Sequence, residues 1–280
     1  ARLQLVWATL AHRRGAAGDI EAATRAADLY RELGDRLGCF RALSILAATY
    51  ALDGNESQGM AALEELAESF DPGWGLVQWG AYHMIMGFSL AQLDRDEDML
   101  AVADSSMSQV RQLDDDEANA TIWVAMAQMA WVTGDREAAL AHSQRGLDAA
   151  RRLGAAGRLG VALGDRATYL VELGRVEEAL PLAREAVALR AQDGSLGLML
   201  DQLAQLACAR GHFRDAALAL GRAEVHHAWR RGRRERYLRG PHQRATQAVA
   251  AALTPAERQE AYARGSAMGD DEVARLTLRS

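Results

Sequence analysis

A short turn centred on Gly and followed by an amphipathic segment recurs along almost the whole chain, and no other feature restricts the possible folds so strongly. The turns begin at Gly18, Gly54, Asp94, Gly134, Gly174 and Gly211, at spacings of 36, 40, 40, 40 and 37 residues. Seven residues before them stand Ala11, Ala47, Gly87, Ala127, Ala167 and Ala204, all small. The 57 Ala and 25 Gly make up 82 of 280 residues, so six small residues from six has a chance level of about one in a thousand. Five residues after the turn a small residue returns as Ala23, Gly59, Ala139, Ala179 and Ala216, with Met99 the exception. Eleven before it stand bulky residues, Trp7, Leu43, Trp123, Leu163 and Leu200, with His83 the misfit. Two antiparallel helices that pack closely need a residue without bulk where their axes approach, and Gly after the first helix permits the positive φ that ends it.

Each unit therefore reads as a first helix of about 14 residues that ends at the turn and a second of about 16 to 20 that starts near the turn's acidic residue. The later first helices are expected over 40–53, 80–93, 120–133, 160–173 and 197–210. Six units follow, at about 1–36, 37–76, 77–117, 118–157, 158–194 and 195–230, with a second region at 231–280. The acidic run Asp114, Asp115, Asp116 and Glu117 suits the start of the helix that carries Trp123, where carboxylates cap free backbone NH groups; the spacing of a calcium loop is absent. Pro181 falls beyond the first turn of its helix, where a kink is expected.

The small, small and large residues at the helix-pair contact, with the Gly turn between them, resemble the tetratricopeptide repeat over about residues 2 to 230. The period exceeds the usual repeat by about six residues, as in the MalT-like arrays of large bacterial regulators. The resemblance implies an all-α, right-handed superhelix of about six helix pairs with a C-terminal helical cap. HEAT and armadillo repeats have a similar period and remain the rival fold, against which the fixed small-residue positions argue.

Composition removes several chemistries. All 32 basic residues are Arg, so neither a P-loop nor Schiff-base or pyridoxal chemistry can be built without the lysine amine. Cys39 and Cys208 match no redox or zinc spacing and read as buried helix thiols in a reducing compartment. Of the histidines only His226 and His227 with His242 could converge; adjacent helical residues point apart, which argues against a metal. No nucleophile or metalloprotease motif is present, so neither catalysis nor a cofactor is expected. No apolar run approaches a membrane span, so a cytoplasmic location is expected. The chain begins at Ala1 in what reads as mid-helix, as an excised part of a longer protein would.

Beyond the sixth unit the period is expected to stop. Arg230, Arg231, Arg233, Arg234, Arg236 and Arg239 form the strongest charge run, a possible patch for an anionic partner. The plainer expectation is a long terminal helix ending in cations that suit its negative dipole end, which leaves nucleic-acid binding a distant alternative. Thr254 with Glu257 forms a capping box and Pro255 stands at the first helical position, so short helices should close the chain. The run from Leu253 to Arg258 and the Ala-Arg-Gly that ends at Gly265 look like the start of a LuxR-type helix-turn-helix, but two residues short and without a recognition helix. Tyr262, Gly265, Ala267, Met268, Glu272, Val273 and Leu276 more closely resemble, without a gap, the closing segment of bacterial LuxR-family, STAND-type ATP-binding regulators. That resemblance implies a sensor or regulatory arm in signal transduction, with an upstream nucleotide-binding domain as its own partner. A stand-alone scaffold for a peptide or protein is the alternative.

In a superhelix the first helices line the concave wall. The faces that avoid the small contact positions should present Arg41, Ser44, Ala48, Met84, Phe88, Val124, Gln128, Trp131, Thr168, Asp201 and Gln205. The candidate groove is Met84, Phe88, Gln128, Trp131, Thr168, Asp201 and Gln205, apolar with a few amides, suited to a peptide, a protein segment or a small apolar ligand. Packing between repeats is the competing account of Met84, Phe88 and Trp131.

Overall fold

The structure, a computed structural model, describes residues 1–14, 18–110, 116–154, 156–229 and 234–279. Among the described residues the regular structure is all helical. The helices are α1 (Arg2–Arg14), α2 (Asp19–Glu32), α3 (Arg36–Asp53), α4 (Glu56–Ser69), α5 (Leu76–Gln92), α6 (Asp96–Val110), α7 (Asp116–Thr133) and α8 (Arg136–Leu153). They continue with α9 (Ala156–Glu172), α10 (Val176–Gln192), α11 (Leu200–Ala209), α12 (Phe213–Trp229), α13 (Arg236–Ala252), α14 (Pro255–Ala267) and α15 (Asp270–Thr277). A 3-10 turn, Leu196–Met199, leads into α11. None of these helices is long and apolar enough to cross a membrane.

The repeated turns lie between the helices of each pair. Gly18, Gly54, Gly134, Gly174 and Gly211 all have φ between 64° and 92°. Asp94 takes the same left-handed conformation at φ 58° and is the one described non-glycine residue to do so, as a short polar side chain permits. Most of the described contact positions are buried as the pattern requires, although Trp7 of the first pair is 55% exposed. Ala47, Ala127, Ala167 and Ala204 lie in the core, as do Ala23, Ala139, Ala179 and Ala216, and the two misfits Met99 and His83 are buried with them. Replacing Ala127 or Ala167 with Leu should overpack its helix pair and cost about 1 to 3 kcal/mol in chemical denaturation. Unchanged stability in both variants would show that these positions are not the close contacts.

The first helices start earlier than 40, 80, 120 and 160, at 36, 76, 116 and 156, because a second set of turns separates the repeats. Gly34, Gly154 and Gly194 have positive φ, and Asp35 after Gly34 caps α3 by accepting from the Gly38 amide at 2.8 Å. Asp114 and Asp115 lie outside the described residues, and α7 begins at the next acid, Asp116. Pro181 stands inside α10, which continues through it to Gln192.

The period also continues past the sixth pair. The 3-10 turn begins at residue 196 and α13 at residue 236, each 40 residues after the start before it. α13 packs on α11, and Ala245, Val249, Met268 and Val273 join Leu200, Ala204, Ala216 and Leu220 in one core cluster. α14 opens with the expected capping box, Thr254 accepting from the Glu257 amide and Glu257 from the Thr254 amide, with Pro255 in its first turn. The end of α15 is tied down by arginines: Arg210 donates to the Thr277 and Arg279 carbonyls at 3.2 and 2.7 Å, and Arg184 to that of Leu278 at 3.1 Å.

The chain divides into two compact units, residues 1–125 with 228–235 and residues 126–227 with 236–280. In the first unit the rings gather around the α4–α5 connection. Phe70 stacks on Tyr82 at 4.3 Å, Phe40 meets Trp74 edge-on at 5.3 Å, and His83 lies 4.1 Å from Trp79 and 5.0 Å from Tyr82. Burial lowers the His83 pKa to about 4, and its Nδ1 finds no hydrogen-bond partner among the described residues. The unfolded chain takes up a proton near the ordinary value of 6.5, whereas the folded one resists until about 4. The contribution of His83 to stability is therefore complete above about 6.5 and lost as pH falls toward 4. His83→Leu should reduce the stability lost between about pH 7 and about pH 4.5 by about 2 kcal/mol. Equal acid sensitivity in wild type and variant would reject that assignment.

Candidate functional site

In the second unit the polar residues of successive first helices meet one another. Asp165 of α9 is buried and accepts from Gln128 Nε2 of α7 at 2.7 Å and from Gln202 Nε2 of α11 at 3.2 Å. A carboxylate taken out of water must find such donors or protonate. Asp201, one residue earlier on α11, is 1% exposed and holds two imidazoles, His227 Nε2 of α12 and His242 Nδ1 of α13, both at 2.9 Å. His242 Nε2 also lies 3.9 Å from Glu224 Oε1. Farther along, Glu172 of α9 pairs with Arg244 of α13, and burial lowers the Arg244 pKa with the charge of Arg136 adding to the effect. Burial and the charge of Asp165 push the Tyr169 phenol well above its ordinary value, and its hydroxyl has no hydrogen-bond partner among the described residues.

These ties bring five of the predicted groove residues, Gln128, Trp131, Thr168, Asp201 and Gln205, into the second unit, where they do not form an open wall. Trp131 is 6% exposed, stacked on Tyr169 at 4.3 Å and 19°, and packed with Ala127 and Ala139. The Arg136 guanidinium lies over its ring at 3.9 Å. Thr168 is buried and spends its hydroxyl on the Gly164 carbonyl at 2.9 Å. Asp201 and Gln205 are buried as well, and Gln128 is half-buried and committed to Asp165. The expectation of an exposed wall is thus corrected at Trp131, Thr168, Asp201 and Gln205, all of which are buried, Trp131 and Asp201 by partners from both first and second helices. Between α9, α10 and α11 there remains a void of only about 10 Å³, beside Gly164, Thr168, Met199 and Gln202.

The sequence missed Asp165, Gln202, Tyr169 and Glu172. A signal for Asp165 and Gln202 was available, since Gln128, Asp165 and Gln202 stand 37 residues apart, as polar neighbours on adjacent repeats would. Of the histidines singled out, His227 and His242 do converge, but on a carboxylate. Among the described residues no group of three or more potential ligands could hold a metal ion. Cys39 and Cys208 are free thiols in α3 and α11; Cys39 is buried, Cys208 only partly so, and burial pushes the Cys208 pKa up to about 12.

Met84 and Phe88 belong to the first unit, on α5, and both are half-buried. Of the arginine patch, Arg230, Arg231 and Arg233 lie outside the described residues. Arg234 and Arg236 are half-buried and Arg239 is exposed, and each interacts with other groups. Arg236 opens α13 and Arg239 is in its first turn, so at these positions the cations begin a helix instead of ending one. An unfavourable dipole contact of about 0.3 to 1 kcal/mol is small beside the packing of α13 on α11, which sets where the helix lies.

A stack of helix pairs joined by left-handed turns, with small residues at the pair contacts, defines an all-α helical-repeat protein of solenoid type. Residues 118–192, spanning α8, α9, α10 and nearly all of α7, match the tetratricopeptide repeat family. That match decides against the rival repeat types for this stretch. No curated protein matches the chain. Among solved structures, the crystal structure of BtubC (BKLC) from P. vanneervenii is similar in fold, with a TM-score of 0.58 and 16% identity over 76% of this chain and 91% of that one.

Proposed function

We propose that the chain is a protein-binding repeat domain without catalysis of its own, serving as the sensor arm of a larger regulator. The observation that carries the binding reading is the tetratricopeptide match over residues 118–192, a repeat type whose domains generally bind peptides or proteins. The regulator reading rests on the resemblance of the closing segment around Tyr262, Met268, Val273 and Leu276 to that of ATP-binding regulators. In the first unit, the half-buried Met84 and Phe88 are the groove residues that a peptide, protein segment or apolar ligand can reach.

A photo-crosslinking residue placed at Met84 or at Phe88 in cells should capture one protein partner from both positions, whereas the same residue at the exposed Leu173 should not. Adducts no different from those at Leu173 would reject these two residues as the site. Calorimetric titration of the purified chain with ATP should show no binding; saturable micromolar affinity would overturn the reading. Salt-dependent DNA binding, lost on Arg239→Ala, would instead favour the arginine patch as the functional surface.

A further inference from the structure

The first helix of the first unit carries an apolar stripe in water. Leu3, Val6, Trp7 and Leu10 of α1 are between 45% and 86% exposed, and their spacing puts them on one face. Four large apolar side chains on one short helix are more than scattered surface residues, and such a patch marks an interaction site.

The repeat itself says what fits there. The turns at Gly18 and Gly54 are 36 residues apart, so the counterparts of the stripe on α3 are Cys39, Ala42, Leu43 and Leu46. In the 3-10 turn and α11, aligned by Gly211, they are Leu196, Met199, Leu200 and Leu203. None of these eight is more than 8% exposed. Both helices of the preceding pair, α1 and α2, pack against α3, and α2 approaches so closely that a Cβ at Gly38 would lie 2.3 Å from the Tyr30 ring. The buried residues of α2 are otherwise mostly alanines, Ala22, Ala23, Ala26 and Ala27. α3 thus packs against a preceding pair whose second helix buries mostly small side chains.

We infer that the Leu3, Val6, Trp7 and Leu10 face of α1 is a docking surface for one further helix pair of the same repeat type, which presents to α1 the Ala-rich face that α2 presents to α3. The argument is continuity: on α3, and at the turn and helix that open the sixth pair, the counterparts of the stripe are apolar and covered, whereas on α1 the same positions are exposed. It deepens the reading of the chain as a binding domain by naming a partner class, and it stands apart from Met84 and Phe88.

The test supplies such a pair directly. A copy of residues 156–196 fused ahead of Ala1 places its Gly194 five residues before Leu3, the separation of Gly34 from Cys39. The fusion should slow hydrogen exchange of the α1 amides about tenfold or more and raise Tm. Leu3→Asp with Trp7→Asp in the fused protein should cancel both effects. The same double substitution in the unfused chain should leave Tm unchanged, because those side chains are exposed there. Unaltered α1 exchange in a fusion whose added helicity is confirmed by circular dichroism would overturn the inference. So would a large loss of stability in the unfused double variant, which would mean the face is already covered. A concentration-dependent dimer in sedimentation, abolished by the double substitution, would assign the face to a second copy and overturn it as well.

Discussion

Trp131→Ala should cost about 3 to 5 kcal/mol of stability, the usual range for truncating a large buried aromatic residue. The ring is 6% exposed, with Tyr169 stacked on it at 4.3 Å and Ala127 and Ala139 beside it. Its removal leaves a cavity that neighbours as short as alanine cannot fill, and Tyr169 loses its stacking partner. Arg136, over the ring at 3.9 Å and bonded to the Trp131 carbonyl at 2.5 Å, adds a cation–π term; Arg136→Ala should cost about 0.5 to 1 kcal/mol, since the guanidinium is exposed. Urea denaturation of both variants checks the order. A loss below about 1 kcal/mol for Trp131→Ala, with intact helicity, would mean that the ring carries little packing and would return Trp131 to the list of residues able to meet a partner.

The sequence and the structure agree where the information is local. Gly54 and Gly174 end their helices by adopting positive φ, and even Asp94, which breaks the Gly pattern, takes the same conformation. The small positions were legible because six repeats sample the same contact. Helix starts were less so: Gly34, Gly154 and Gly194 recur at multiples of 40 residues, but Trp74 and Asp114 stand at the two positions between them, and the 3-10 turn before α11 shifts the boundary again. The groove misled for a specific reason. A polar residue on a first helix reads as outward-facing, yet Asp165 is enclosed by Gln128 and Gln202 from adjacent repeats. Those partners are 37 residues apart in a repeat of about 40, a slip of about one helical turn that puts a residue beside a different repeat position. Asp201 shows the same limit, because its histidines come from α12 and from α13, a helix that sequence reading placed beyond the repeats.

Gly265→Ala is the second substitution from which a large effect is expected, and here two principles oppose each other. Alanine in place of a helical glycine favours the helix by about 0.5 to 1 kcal/mol. A Cβ at Gly265, however, would lie 2.0 Å from the Leu218 carbonyl oxygen of α12, and one at Gly221 of α12 would lie 2.3 Å from the Tyr262 carbonyl oxygen of α14. The obstructing atoms are backbone, so no rotamer change relieves them, and α12 and α14 must separate. Separation loosens Ala261, Tyr262 and Met268 from the cluster that includes Leu218 and Leu220. The contact should therefore win, costing about 3 kcal/mol or somewhat more, at or above the upper end for overpacking. Gly221→Ala should behave alike, and Gly269→Ala, with nothing within 4 Å of its Cβ and an ordinary φ of −80°, should change stability little. Hydrogen exchange should localise the first loss to residues 255–279, ahead of the rest of the second unit. If Gly265→Ala were as stable as Gly269→Ala, the two helices would not cross at a glycine contact, and the place of Gly265 in the closing segment would need another cause.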